Sequence, residues 1–258
     1  MIPVAKPYLP IQRSPHPKGP RAMTLAAAFR CPKGGFLLCS DREWNDGVSK
    51  RSVDKIYRIG NFAPCDFFIA GAGPEAIIKK TWAAIHEAVA SAASNGQDVL
   101  HDHRLIIEAT LRTIHEQCAK TLQDYPMWLL IVVAPRADGM APFLYLTNAD
   151  ILIPEPYYAA IGSGKTIADY FSDRLYEYGR LDKDSMKVLA TFILREAGES
   201  SAGVGMGADM MFINEGEKAI HYIFSGSIKE IASGIPSLSD AIWSYWKDHA
   251  KLPERLAG

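Results

Sequence analysis

The chain has 258 residues, 48% of them apolar and 22% charged, with a formal net charge of −1. That length suits one large domain or two small ones, and the near-neutral charge gives no electrostatic case for nucleic acid or an anionic membrane as partner. Cys31, Cys39, Cys65 and Cys118 show no C-x-x-C spacing and read as free thiols of a reducing, cytoplasmic compartment, while no apolar run reaches membrane-spanning length.

Residues 1–22 differ from the rest. They hold Pro3, Pro7, Pro10, Pro15, Pro17 and Pro20, out of 16 prolines in all, with basic residues and no acidic one. Such a stretch is expected to be disordered or extended, and without a continuous apolar core it is no secretory signal. It reads as a cleaved propeptide, a flexible arm, or a misassigned start with Met23 as the initiator. The division expected is therefore a Pro-rich extension over 1–23 and one domain over 24–258.

Met23 to Asp41, MTLAAAFRCPKGGFLLCSD, is the stretch around which the rest is arranged. Two apolar runs, Leu25–Phe29 and Phe36–Cys39, flank a Pro-Lys-Gly-Gly turn and predict a β-hairpin. Thr24 then sits at the tip of the first strand. If everything before it were removed, Thr24 would carry both a hydroxyl and a free α-amine, a self-contained nucleophile and base. The amine's reference pKa of about 7.7–8.0 leaves much of it neutral near physiological pH.

Arg42 to Gly47 reads as a turn or short extended loop, and Val48 to Gly60 as short strands around Lys55. Phe67–Ala70 is a buried-type strand, after which Pro74 suits a helix first turn. Ile78, Trp82, Ile85 and Val89 share one helical face, and Asn95-Gly96 ends that helix. Ile107, Leu111, Ile114 and Cys118 mark a second helix. Met127–Ala134 and Pro142–Thr147 are strands around Asp138-Gly139, and Tyr157–Ile161 is another, closed by Gly162-Ser163-Gly164. A third helix carries Ile167, Phe171, Leu175 and Tyr178. Asp182 caps a fourth with Val188, Leu189, Phe192 and Ile193 inward. Ala208–Ile213 and Ala219–Phe224 form a last hairpin. Ser237 with Asp240 resembles a capping box for a final helix bearing Ile242, Tyr245 and Trp246. Two strand sets separated by helix pairs imply stacked sheets covered by helices on both outer faces.

Several blocks in this order resemble the proteasome β-subunit family and its bacterial HslV-type relatives: Thr24-Leu25-Ala26 leading to Asp41, Lys50–Ile56, Phe68–Gly73, Ala160–Gly164 and Val204–Asp209. The resemblance implies an α+β fold, a four-layer α-β-β-α sandwich of the N-terminal-nucleophile hydrolase class. It also implies a threonine-type peptidase or amidase, acting in a homo-oligomeric ring on peptide or amide substrates without a cofactor or metal, with an ATPase unfoldase partner left unidentified. Carried over by position, Thr24 is the nucleophile, Lys55 the tuning charge, Asp41 its holder, and Ser163 the group that orients the amine or a relay water. Gly47 falls at the substrate-binding edge as the oxyanion donor. The family's late acidic–serine pair has no clean match; Glu199 and Ser201 are the auxiliary candidates. Taken alone, Lys55 reads as a solvated strand lysine, Asp41 as a turn residue and Ser163 as a helix cap. The family also includes catalytically silent subunits, which is the alternative function.

Gly164-Lys165-Thr166 imitates the end of a phosphate-binding loop between a strand and a helix, making nucleotide binding at Gly162–Thr166 a further alternative. That motif also asks for glycine at position 159, where the chain has Ala159. His101-Asp102-His103 lacks a second spaced ligand set and reads as a polar lead into a helix.

Overall fold

The computed structural model describes residues 24–32, 34–45, 50–60, 64–137, 139–201, 204, 205, 207–214, 220–223, 225–236, 240, 241 and 244. The first strands are β1 (Leu25–Arg30), β2 (Phe36–Asp41), β3 (Glu43–Asn45), β4 (Lys50–Ser52), β5 (Ile56–Ile59) and β6 (Cys65–Ala72). The β1–β2 hairpin pairs Ala28 with Leu38. Gly34 takes φ 91° in its turn, a conformation that favours glycine. The segment expected as a loop after Asp41 is instead strand β3, antiparallel to β4 with Trp44 opposite Arg51.

Helix α1 (Glu75–Ser94) follows Pro74, whose lack of an N–H is harmless at a helix start. Then come α2 (Val99–Gln117), α3 (Ala119–Asp124), β7 (Trp128–Pro135), β8 (Phe143–Asn148), β9 (Ile151–Pro154) and β10 (Tyr158–Gly162). Helices α4 (Lys165–Leu175) and α5 (Lys183–Ser200), strands β11 (Ala208–Ile213) and β12 (Ile220–Ile223), and α6 (Ser225–Gly234) complete the order. Asp182 caps α5 by accepting from the Ser185 N–H at 2.8 Å. No helix among the described residues is long and apolar enough to cross a membrane.

The strands form two five-stranded antiparallel sheets, β10-β1-β2-β11-β12 and β5-β6-β7-β8-β9. Ala26, Ala28, Phe36 and Leu38 of the first sheet meet Phe68, Ala70, Leu130 and Val132 of the second. The opposite face of the first sheet, through Leu25, Phe29 and Leu37, packs on Phe171, Met186, Leu189 and Ile193 of α4 and α5. The outer face of the second, through Phe67, Ile69 and Ile131, packs on Ile78, Ile85, Ile107 and Leu111 of α1 and α2. This is the four-layer α-β-β-α order. Covering both faces explains why β1, β6 and β7 are nearly continuous apolar runs instead of alternating ones.

Several helix-face expectations need correction. Val188 is 45% exposed, because Met186, Leu189, Ala190, Ile193 and Leu194 define the buried stripe and a residue two positions from Met186 and Ala190 points away from it. Leu175 and Tyr178 are 48% and 47% exposed: α4 ends at Leu175 because Tyr176 turns extended, so Tyr178 has left the helix. Short elements α3, β9 and α6 lack the long periodicity that would reveal them. The expected terminal residues Ile242, Tyr245 and Trp246 lie outside the described residues.

One ion cluster fixes an end of the second sheet. Asp66 on β6 accepts from Arg58 of β5 at 3.1 Å and from Arg136, just past β7, twice at 2.9 Å. Burial pushes this carboxyl up, but the hydrogen bonds from Arg136 and Arg58 overcome it and hold it below its ordinary 3.8. Asp66→Asn is expected to destabilise the fold by about 1–2 kcal/mol, since bonds to charged groups are worth about 1.5–3 and water screens the arginine ends. A depressed carboxylate contributes stability above its unfolded value and loses it as pH falls through the folded one. The gap between wild type and variant, measured by urea denaturation, should therefore be present at neutral pH and close below about pH 4.

Candidate active site

Three strand ends converge at one place. Thr24 stands immediately before β1, Asp41 ends β2, and Lys55 immediately precedes β5. The hairpin register, with Ala26 opposite Ser40, brings Asp41 beside Thr24. The crossover of the chain to the second sheet brings Lys55 up between them. The relative exposures are 4% for Thr24, 0% for Asp41 and 7% for Lys55.

The Thr24 hydroxyl donates to Asp41 Oδ1 at 2.5 Å and accepts from Lys55 Nζ at 2.5 Å. Lys55 Nζ also donates to Asp41 Oδ1 and Oδ2 at 2.8 and 2.7 Å and to the Glu43 carbonyl at 2.5 Å. Its ammonium protons are thereby all directed at oxygen. Burial lowers the proton affinity of Lys55, and the Asp41 charge and hydrogen bond oppose that. Asp41 further accepts from the backbone N–H groups of Leu25 at 2.8 Å, Glu43 at 3.2 Å and Gly205 at 3.1 Å. It thus knots β1, β3 and the approach to β11 around one carboxylate.

Two glycines allow this close approach. Gly162 has φ +96°, and a Cβ there would overlap the Thr24 carbonyl; a Cβ on Gly205 would overlap the Glu43 side chain. Neither position has room for alanine.

Ser163 is exposed. Its Oγ lies 3.4 Å from the Thr24 carbonyl oxygen, beside the Gly164 N–H at 3.3 Å, so its contact is with the carbonyl and not with the hydroxyl. The Gly164 N–H is directed at Thr24 instead of at an open phosphate cradle, and Lys165 pairs with Asp169 at 2.6 Å. Glu199 is exposed on the last turn of α5, 3.7 Å from Arg195, and Ser201 forms the C-cap of α5. Among the described residues no hydrogen bond joins either to Thr24, Asp41 or Lys55. Gly47 lies outside the described residues. His103 has its ring nitrogens on Leu100 O and Tyr145 Oη.

Sequence reasoning missed the main-chain contributors. The Glu43 carbonyl and N–H and the Gly205 N–H hold Lys55 and Asp41, and backbone groups leave no side-chain signature. The pair of glycines around Met206 was the available clue. Farther out, Arg42 bridges Asp54 at 2.7 Å and Asp209 at 3.1 Å, tying β3's approach to β11. Burial pushes the Asp209 carboxyl up, against the pull of Arg42.

Residues 24–213 match the family model described as Proteasome subunit. The chain belongs to the proteasome subunit family. The match begins at Thr24. Among solved structures, an Anbu (ancestral beta-subunit) protein from Yersinia bercovieri shares the fold with a TM-score of 0.73 at 16% identity, covering 90% of this chain and all (100%) of that one. An Anbu (Gly-1) mutant from Hyphomicrobium sp. strain MC1 gives 0.69 at 16%, covering 89% and 99%. The helical assembly of the Anbu complex from Pseudomonas aeruginosa gives 0.70 at 15%, covering 90% and 100%. No curated protein matches the chain. The proteasome-type N-terminal-nucleophile fold, two antiparallel sheets between helix layers, is thereby established; at these identities the structural likeness speaks to fold alone.

Proposed function

We propose that this proteasome-family chain is a threonine-type peptidase or amidase whose nucleophile is Thr24, exposed as the N-terminal residue by removal of residues 1–23. The observation that carries this reading is the contact of Lys55 Nζ with Thr24 Oγ1 at 2.5 Å, with Asp41 bound to both. The start of the family match at Thr24 supports the same boundary. In the freed chain, the α-amine takes the hydroxyl proton as Oγ1 attacks the substrate carbonyl carbon. The Lys55 charge stabilises the developing alkoxide and lowers the amine's proton affinity. The tetrahedral intermediate collapses by breaking the C–N bond, and the leaving amine takes the proton held by the Thr24 α-ammonium, which restores the neutral amine. Water then hydrolyses the acyl-Thr24 ester. Gly47 is the proposed oxyanion donor.

The test is covalent labelling of the trimmed protein by a threonine-reactive epoxyketone or β-lactone, read by peptide mass spectrometry. A label on Thr24 that is absent from Thr24→Ala supports the enzyme. An unlabelled, correctly trimmed and assembled protein would overturn it in favour of a catalytically silent subunit. One observation favours that second reading: among the described residues no hydrogen bond joins Glu199 or Ser201 to the Thr24 cluster.

Assembly belongs to the same proposal. A closed homo-oligomeric ring would sequester the sites and prevent indiscriminate hydrolysis, with α1 and α2 contributing subunit contacts. Light scattering at micromolar concentration should give a mass several times 28.4 kDa. A strictly monomeric, fully active protein would contradict it.

A further inference from the structure

A cleft next to the Thr24 cluster has Gly205, whose N–H binds Asp41, in its lining. It encloses about 250 Å³ between α5, α6 and the strand ends at Arg42 and Ala208. Its floor is aliphatic, with Leu194 and Ile228 buried in it. Its polar side-chain lining is cationic and hydroxylic: Arg42, Arg195, Lys229, Ser52 and Thr191. Among the described residues no carboxylate is in the lining itself, although Asp54, Asp209, Glu196 and Glu199 pair with its two arginines.

The charges there are unequally spent. Arg42 gives its terminal nitrogens to Asp54 and Asp209. Arg195 gives its own to Glu196 and to the Ala232, Ile235 and Pro236 carbonyls, tying α5 to the end of α6. Among the described residues the Nε–H of Arg42 is buried without a hydrogen-bond partner, while that of Arg195 is ion-paired with Glu199 at 3.7 Å. Lys229 has no ion pair among the described residues and stands exposed at the rim. An unsatisfied buried donor such as the Arg42 Nε–H asks for a bound partner, and a mostly apolar cleft with a few convergent polar groups is the usual form of a small-ligand site.

We propose that this cleft binds a small aliphatic carboxylate: the carboxylate on Lys229 at the rim, with the open Nε–H of Arg42 as its second donor, and the hydrocarbon body against Leu194 and Ile228. The volume of about 250 Å³ suits a short branched chain. The site is separate from Thr24, and its existence does not depend on whether Thr24 is catalytic.

The experiment is calorimetric titration of the full chain with 4-methylpentanoate, with the uncharged 4-methylpentanamide and inorganic phosphate as comparisons. Saturable binding of the acid, absent for the amide and for phosphate, is expected. Lys229→Glu should weaken it about tenfold or more. Ala232→Trp, which fills the cleft from α6 while keeping the backbone carbonyl bonded to Arg195, should abolish it. Circular dichroism should show both variants folded. The proposal is overturned if the acid does not bind at millimolar concentration, if acid and amide bind alike, or if binding survives both substitutions. Phosphate binding in place of the acid would overturn the aliphatic assignment.

Discussion

Thr24→Ala is expected to abolish turnover of a peptide amide by the trimmed chain, while Thr24→Ser keeps part of it. Alanine removes the one oxygen that lies between Lys55 and Asp41; serine keeps that oxygen but loses the methyl that fixes its rotamer. Lys55→Met should lower turnover by about 10²–10³-fold, the usual cost of removing one preorganised group that stabilises developing charge. A structural role for Lys55 would not move the pH profile, so the profile is the discriminating readout. In the trimmed enzyme, rate should rise with deprotonation of the Thr24 amine, whose reference value is about 7.7–8.0. The nearby ammonium favours the neutral amine and shifts that rise to lower pH. Removing it in Lys55→Met should shift the rise upward. Initial rates from about pH 6 to 9 measure this; an unshifted profile with a lowered plateau would remove Lys55 from the proton chemistry.

The fold was legible because its strongest elements are local and long. Leu25–Arg30, Cys65–Ala72 and Trp128–Pro135 are apolar on both faces, and α1, α2 and α5 are long enough for a 3.6-residue stripe to emerge. Thr24, Asp41 and Lys55 were legible only through the spacing of family blocks, since no periodicity distinguishes a strand-end lysine from a solvated one. Folding supplies what spacing could not: that Lys55 is buried and that its protons end on Asp41, Thr24 and the Glu43 carbonyl. Strand β3 was hidden because three residues cannot show alternation, and its pairing with β4 is a non-local contact. Glu199 and Ser201 are candidates only through the resemblance, as the nearest match to the family's late acidic–serine pair. Glu199 faces Arg195 one turn back along α5, and Ser201 is the C-cap of the same helix.

Asp41→Asn should be the most damaging substitution for stability, about 3–5 kcal/mol, the usual cost of removing one partner from a buried ion pair. Asp41 is fully buried and accepts from the Thr24 hydroxyl, Lys55 and three backbone N–H groups. Asparagine offers one acceptor oxygen where two are in use, and its amide group points donors at donors. Lys55 would remain buried without its counter-charge. Lys55→Met leaves the converse problem, an unpaired carboxylate, and should fall in the same range. The double variant removes both charges, so its loss should be smaller than the sum of the singles by about 0.5–3 kcal/mol, the usual coupling of contacting residues. The pH dependence has a definite sign. Burial already lowers the proton affinity of Lys55, and Asp41 is what restrains the fall. Without Asp41 the folded variant sheds the lysine proton more easily, while the unfolded chain keeps it up to about the ordinary 10.5. The unfolded state then binds more protons across that window, so the stability of Asp41→Asn should rise with pH and part of its deficit should vanish in alkali. Urea denaturation of wild type, both singles and the double, at neutral and alkaline pH, decides it. Strict additivity with no pH dependence would mean that Asp41 holds the strands together through its backbone bonds alone and that its contact with Lys55 adds nothing to the fold.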